Sequence, residues 1–117
     1  MKKILVAEDN DSNYVLMTYM LKDVFELERA HNGEEALEKL SKDTFHLVLM
    51  DLKMPLMDGL EATRRIKALY PDMPVVVVTA NAFDTDKQSA KEAGCDDFLS
   101  KPINRKKCIE TIMRLAK

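Results

Sequence analysis

Short unbroken apolar runs alternate with apolar positions at helical spacing along this chain. Ile4-Leu5-Val6-Ala7 is the first run, and it reads as a strand buried on both faces. Tyr14, Met17, Leu21 and Val24 then recur at helical spacing, with Asp11 or Ser12 placed to cap that helix. Phe25-Glu26-Leu27 alternates, as a more exposed strand does. Asn32-Gly33 turns the chain into a short helix whose inner face is Ala36, Leu37 and Leu40. Phe45 to Met50 predicts the third strand. Asp58, followed three residues later by Glu61, is a capping-box arrangement that starts a helix with the stripe Ala62, Ile66, Leu69 and a stop at Pro71. Val75-Val76-Val77-Val78 is the clearest strand, because four β-branched residues favour extended backbone. Phe83 to Ala93 predicts a weakly amphipathic helix ending at Gly94. Phe98-Leu99 predicts the last strand, and Ile109, Ile112, Met113 and Ala116 the closing helix.

Strict alternation of strand and helix implies an α/β fold with a parallel sheet covered on both faces. Right-handed crossovers leave few ways to arrange it. The expected architecture is a flavodoxin-like (βα)5 three-layer sandwich, one domain over residues 1–117, with strand order 2-1-3-4-5. That order makes the first and third strands neighbours and puts the switch point, where such sheets bind ligands, between their carboxyl ends.

What stands at those ends is acidic. Glu8-Asp9 follows the first run and Asp51 closes the third. Three carboxylates in one crevice raise each other's energy unless a cation joins them, so the site asks for a hard, oxygen-seeking metal such as Mg²⁺. Thr79 and Lys101 end the fourth and fifth strands, and a hydroxyl and an ammonium bind phosphoryl oxygens well. The sequence has neither GxGxxG nor GxxxxGK[ST], which leaves dinucleotide binding poorly supported. The residues therefore point to metal-assisted phosphoryl transfer, with a spare aspartate as nucleophile.

Composition narrows the partners. A 117-residue chain that is 46% hydrophobic can bury a sizeable core, while 32% charged residues and a net charge of −2 predict a soluble, near-neutral surface. No basic excess recommends nucleic acid, and no apolar run approaches a membrane span. Cys95 and Cys108 form neither a CxxC pair nor a disulfide framework, and no signal-peptide pattern precedes the first strand, so a reducing cytoplasm is the expected location. His31 and His46 stand apart from each other and from the cysteines, and each reads as a surface or satisfied histidine.

Taken singly, Glu8 or Asp51 reads as a solvated strand end, Thr79 as a strand former and Lys101 as a surface lysine. In order along the chain they resemble something more specific. Glu8-Asp9, Asp51 within Met50-Asp51-Leu52-Lys53-Met54-Pro55, Asp58-Gly59, Thr79-Ala80 and Lys101-Pro102 resemble the receiver domain of two-component response regulators. Thr79-Ala80-Asn81-Ala82 and Asp96-Asp97-Phe98-Leu99-Ser100-Lys101-Pro102 look most like the receivers of hybrid sensor histidine kinases. The resemblance covers essentially the whole chain. It implies Asp51 as phosphoacceptor from a phosphohistidine. Mg²⁺ or Mn²⁺ would be held by Asp9, Asp51 and the backbone carbonyl of Lys53, with Glu8 orienting the metal shell. Thr79 and Lys101 would bind the phosphoryl oxygens, a small Ala80 would admit the donor, and the Lys101–Pro102 peptide would be cis. Phe98 would be the aromatic that turns inward on phosphorylation, and Lys53 and Asn81 would tune hydrolysis.

The implied partners are a sensor histidine kinase or a histidine phosphotransfer domain, with no nucleic acid or membrane contacted by this domain. A monomer or a weak phosphorylation-dependent dimer is expected. The only chemistry implied is self-phosphotransfer and autodephosphorylation. Two rivals stand beside this reading. A haloacid-dehalogenase-type phosphohydrolase also uses Mg²⁺ and an aspartate nucleophile, but it wants a second Asp where this chain has Lys53. A degenerate receiver serving only for docking would not need the intact acidic set.

Overall fold

The computed structural model describes residues 1–52, 54, 56–80 and 84–116, with the backbone alone for 84–86. Five strands alternate with five helices: β1 (Lys3–Ala7), α1 (Asp11–Leu21), β2 (Glu26–Ala30), α2 (Gly33–Lys42), β3 (Leu47–Asp51), α3 (Gly59–Leu69), β4 (Val75–Thr79), α4 (Asp84–Ala93), β5 (Asp97–Ser100) and α5 (Arg105–Leu115). All strand pairs are parallel, in the order β2-β1-β3-β4-β5 expected from the alternation.

The two-residue period of the strands builds two cores. Ile4, Val6, Leu47, Leu49, Val76, Val78 and Leu99 face Met17 and Leu21 of α1 and Cys108 and Ile112 of α5. Leu5, Ala7, Val48, Met50 and Val75 face Ala36 and Leu40 of α2 and Ala62 and Ile66 of α3. A smaller group of Leu52, Val77 and Ala90 lies under α4 with Phe98 against it. Central strands buried this completely account for the unbroken apolar runs: each buried valine of β4 contributes about 1.5–3 kcal/mol relative to exposure.

Side-chain caps set the helix starts. Asn10 Oδ1 accepts from the Asn13 N–H at 2.9 Å, so Asn10, and not Asp11 or Ser12, caps α1. Asp11 consequently falls in the first turn, where a carboxylate favours the helix dipole. Asn32 and Asn104 cap α2 and α5 in the same way. Asp58 caps α3 as its spacing predicts, accepting from Glu61 N–H at 2.9 Å. Gly94 follows α4 at φ +98°, the left-handed position that favours glycine.

Several expected contacts shift for geometric reasons. The inner face of α3 is Gly59, Ala62, Thr63 and Ile66, and a face rotated that way leaves Leu69 65% exposed while Tyr70 packs inward. Cys108, Thr111 and Ile112 form the inner face of α5, which turns Met113 outward. Val24 lies beyond the end of α1 yet still packs on the core. β2 begins one residue after Phe25 and runs on to Ala30. Phe45 precedes β3 rather than starting it, and is buried beneath the Lys3 ammonium, 4.9 Å from its ring centre. The expected helix start at Phe83 lies outside the described residues.

Candidate functional site

Register brings the acidic residues together. Ala7 pairs with Met50, and Asp51 pairs with Val78, so the residues just past β1, β3 and β4 rise to one level. The Glu8 N–H donates to Ala30 O at 3.0 Å and the Leu52 N–H to Val78 O at 3.2 Å, which extends the ladder to the rim. One carboxylate oxygen each from Glu8, Asp9 and Asp51 lies within 4.8 Å of the others. Glu8 and Asp51 are buried and Asp9 is exposed. Three oxygen donors converging with one side open to solvent suit a hard divalent cation that keeps part of its water shell.

Lys101 completes the charge pattern from β5. Its Nζ lies 3.2 Å from Glu8 Oε1 and 3.8 Å from Asp51 Oδ2. Its backbone is tied to β4, the Lys101 N–H donating to Thr79 O at 2.8 Å; the Lys101–Pro102 peptide is cis, as expected. Thr79 is buried at the end of β4, and Ala80 beyond it is exposed. Phe98 is half-buried on β5, with Lys87 Nζ 5.5 Å from its ring centre. Lys53 and Asn81, the two residues expected to tune the site, and the Lys53 carbonyl expected as a ligand lie outside the described residues.

The energetic tension sits on Glu8. Burial pushes its carboxyl above the ordinary range, the neighbouring Asp51 carboxylate pushes it the same way, and Lys101 opposes both. A carboxyl raised in the fold holds its proton more tightly there than in the unfolded chain. Its contribution to stability is therefore lost as pH rises through the folded value. Glu8→Gln should thus raise the melting temperature of chelator-treated protein at pH 7 and have little effect at pH 4. A melting temperature lowered at pH 7 and less so at pH 4 would show that the Lys101 pair outweighs desolvation.

Two further residues shape the site without offering it a ligand. An ideal Cβ on Gly59 would meet Asp51 O at 2.1 Å and Leu52 Cα at 2.7 Å, so α3 can start against the end of β3 only without a side chain. Arg29 of β2 donates from Nε to Glu8 O at 3.0 Å and from Nη1 to Asp11 Oδ1 at 2.7 Å. The signal for Arg29 was available: it shares a strand face with the inward Leu27. Neither histidine joins the site. His31 pairs with Glu35 at 3.0 Å, and His46 Nδ1 accepts from the Lys3 N–H at 3.0 Å. Arg64 and Arg65 pair with Glu61 on an exposed face.

The family model described as the response regulator receiver domain matches residues 4–113. The chain belongs to that family. As a receiver domain of two-component signalling it is 43% identical over 101 residues to the sensor histidine kinase RcsC of Salmonella typhimurium, covering 86% of this chain and 11% of that protein. It is 38% identical over 121 residues to hybrid signal transduction histidine kinase I of Dictyostelium discoideum, covering 95% of this chain and 7% of that protein. The receiver thus spans a small fraction of the length of these relatives. Among solved structures, the receiver domain of sensor histidine kinase PA1611 from Pseudomonas aeruginosa matches with a TM-score of 0.91 at 30% identity, over 98% of this chain and 97% of that one. That neighbour carries a magnesium ion coordinated in its active-site cleft. Among the described residues of this receiver, no helix is long and apolar enough to cross a membrane.

Proposed function

We propose that residues 1–117 act as one receiver unit that accepts a phosphoryl group onto Asp51 from the phosphohistidine of a sensor histidine kinase or histidine phosphotransfer domain. The observation that carries this reading is the convergence of Glu8, Asp9 and Asp51 at the sheet's switch point with Lys101 beside them. Mg²⁺, or Mn²⁺ in its place, suits the all-oxygen donor set, and the magnesium in the cleft of the PA1611 receiver supports the choice. Glu8, Asp9 and Asp51 are the side chains that would hold it, with the Lys53 carbonyl as a further ligand. The ion, when bound, supplies neutralising charge and a binding point for phosphoryl oxygen.

The rest of the chemistry belongs to the chain. A carboxylate oxygen of Asp51 forms the new bond to phosphorus while the phosphorus–nitrogen bond of the donor breaks, and the electron pair returns to the imidazole, which takes a proton from solvent. An ionised aspartate needs no general base, consistent with the strand-end set containing no histidine. Lys101 and Thr79 bind the phosphoryl oxygens, and exposed Ala80 leaves the approach open. New acceptor oxygens near Thr79 then draw it inward, and Phe98 follows by packing alone, since it lacks a hydroxyl. The domain works in the cytoplasm, without nucleic-acid or membrane contact of its own, as a monomer or a weak dimer formed on phosphorylation.

Incubation with acetyl phosphate and Mg²⁺ tests the reading. One added phosphoryl group per chain, labile to hydroxylamine, is the expected result. Many turnovers of a phosphate ester would favour a phosphohydrolase, and no modification would favour a docking module. Lys101→Ala should still accept phosphate, at reduced extent, but lose the phosphorylation-induced change in the Phe98 ring resonances. A normal change in that variant would remove Lys101 from the switch.

A further inference from the structure

The acidic turn between β1 and α1 is held from outside by one guanidinium. Arg29 reaches it at both ends: Nε donates to the Glu8 carbonyl at 3.0 Å and Nη1 to the Asp11 carboxylate at 2.7 Å. The guanidinium carbon also lies 5.0 Å from the centre of the Tyr14 ring, one turn into α1. Between the two anchored residues stands Asp9, the exposed member of the carboxylate trio. Burial holds Glu8 and Asp51 in place, whereas Asp9 depends on the path of the turn. Other local restraints are the Asn10 cap, the 3.3 Å bond from Asn10 N–H to Glu8 Oε2, and the backbone bonds from Glu8 N–H to Ala30 O and from Tyr14 N–H to Asn10 O, each 3.0 Å.

We infer that Arg29 is a positioning residue that presets the Glu8–Asp11 turn, and with it the Asp9 carboxylate, for divalent-cation binding. This rests on the reading of the acidic cluster as a metal site. The role needs arginine in particular. A planar fork can serve a carbonyl and a carboxylate at once while lying on an aromatic ring, and a lysine ammonium cannot. The Arg29 side chain is 16% exposed, and its charge is already paired with Asp11, so it acts on the site through geometry more than through its field. Metal-ligand supports of this kind are typically worth ten- to a hundredfold in affinity. Because Arg29 grips the ligands' backbone and not their carboxylates, the low end applies.

The test is calorimetric titration of the metal-free protein with Mg²⁺, at a temperature where every variant is folded, for wild type, Arg29→Lys, Arg29→Met and Asp11→Asn. Arg29→Lys and Arg29→Met should each weaken Mg²⁺ binding about tenfold, and Asp11→Asn by less. Amide exchange at Asn10 should quicken in both Arg29 variants before any metal is added. Arg29→Lys binding Mg²⁺ like wild type, or Arg29→Met binding it more tightly, would overturn the inference by reducing Arg29 to a neutralising charge. Lowered melting temperatures with unchanged Mg²⁺ affinity would overturn it as well, leaving a purely structural arginine. Failure of the wild-type chain to bind Mg²⁺ at millimolar concentration would instead strike the metal reading itself, and this inference with it.

Discussion

Asp51→Asn should leave a folded protein that acquires no phosphoryl group from acetyl phosphate. An amide nitrogen or oxygen is a poor nucleophile toward phosphorus, and the substitution removes a charge from the carboxylate trio proposed to hold the metal, so acceptance and metal affinity should fall together. The fold should survive because asparagine matches aspartate in shape at a position only 8% exposed. Relief of the like-charge contact with Glu8 acts in the same direction as that tolerance. Thermal melting in chelator should therefore give a midpoint equal to that of wild type or a few degrees higher. Intact-mass spectrometry reads the labelling directly. A hydroxylamine-labile phosphoryl group persisting on Asp51→Asn would move the acceptor to another carboxylate and refute the assignment.

Gly59→Ala is expected to damage the same site from the scaffold side. The added methyl would fall on backbone, at 2.1 Å from Asp51 O and 2.7 Å from Leu52 Cα, and neither can swing aside as a side-chain tip could. The first turn of α3 must then lift from the end of β3, stretching the 3.0 Å bond from Gly59 N–H to Leu52 O and dragging the strand end that carries Asp51. Overpacking of this severity costs about 2–3 kcal/mol, or about 10 °C in melting temperature for a domain of this size. Labelling by acetyl phosphate should fall with it. Gly94→Ala is the control, since its Cβ would meet the Lys67 side chain at ordinary contact distances, Cγ at 3.4 Å and Cβ at 3.6 Å, and its penalty comes from φ +98°. That variant should lose about 1 kcal/mol and label normally. Wild-type stability and labelling in Gly59→Ala would show that the α3 start is free to shift.

Much of the fold was legible because the strands are buried on both faces. Apolar runs such as Val75–Val78 have no competing helical reading, and their alternation with helical stripes leaves few sheet orders, of which the structure adopts 2-1-3-4-5. Boundaries were less legible, and the cause is local. Asn10, Asp11 and Ser12 all compete in sequence to cap α1, and only the extended backbone of Asn10 decides among them. Leu69 and Met113 keep helical spacing with buried neighbours, but where each helix lies on the sheet turns them to solvent. In the site, Glu8, Asp9, Asp51, Thr79 and Lys101 were identifiable because each ends a strand. Arg29 and Gly59 were not recognised for what they do, since one acts on backbone a strand away and the other by lacking a side chain.

By itself the order of residues determined the class of fold, the strand order and which chemistry-bearing groups gather at the carboxyl end of the sheet, because burial periodicity and crossover handedness leave little choice. Tertiary structure alone decided how closely they meet: a trio of carboxylate oxygens within 4.8 Å, an ammonium 3.2 Å from Glu8, and an arginine gripping the turn between. Those distances follow from strand register and from how tightly helices seat against strand ends, and neither is written in the spacing of residues along the chain.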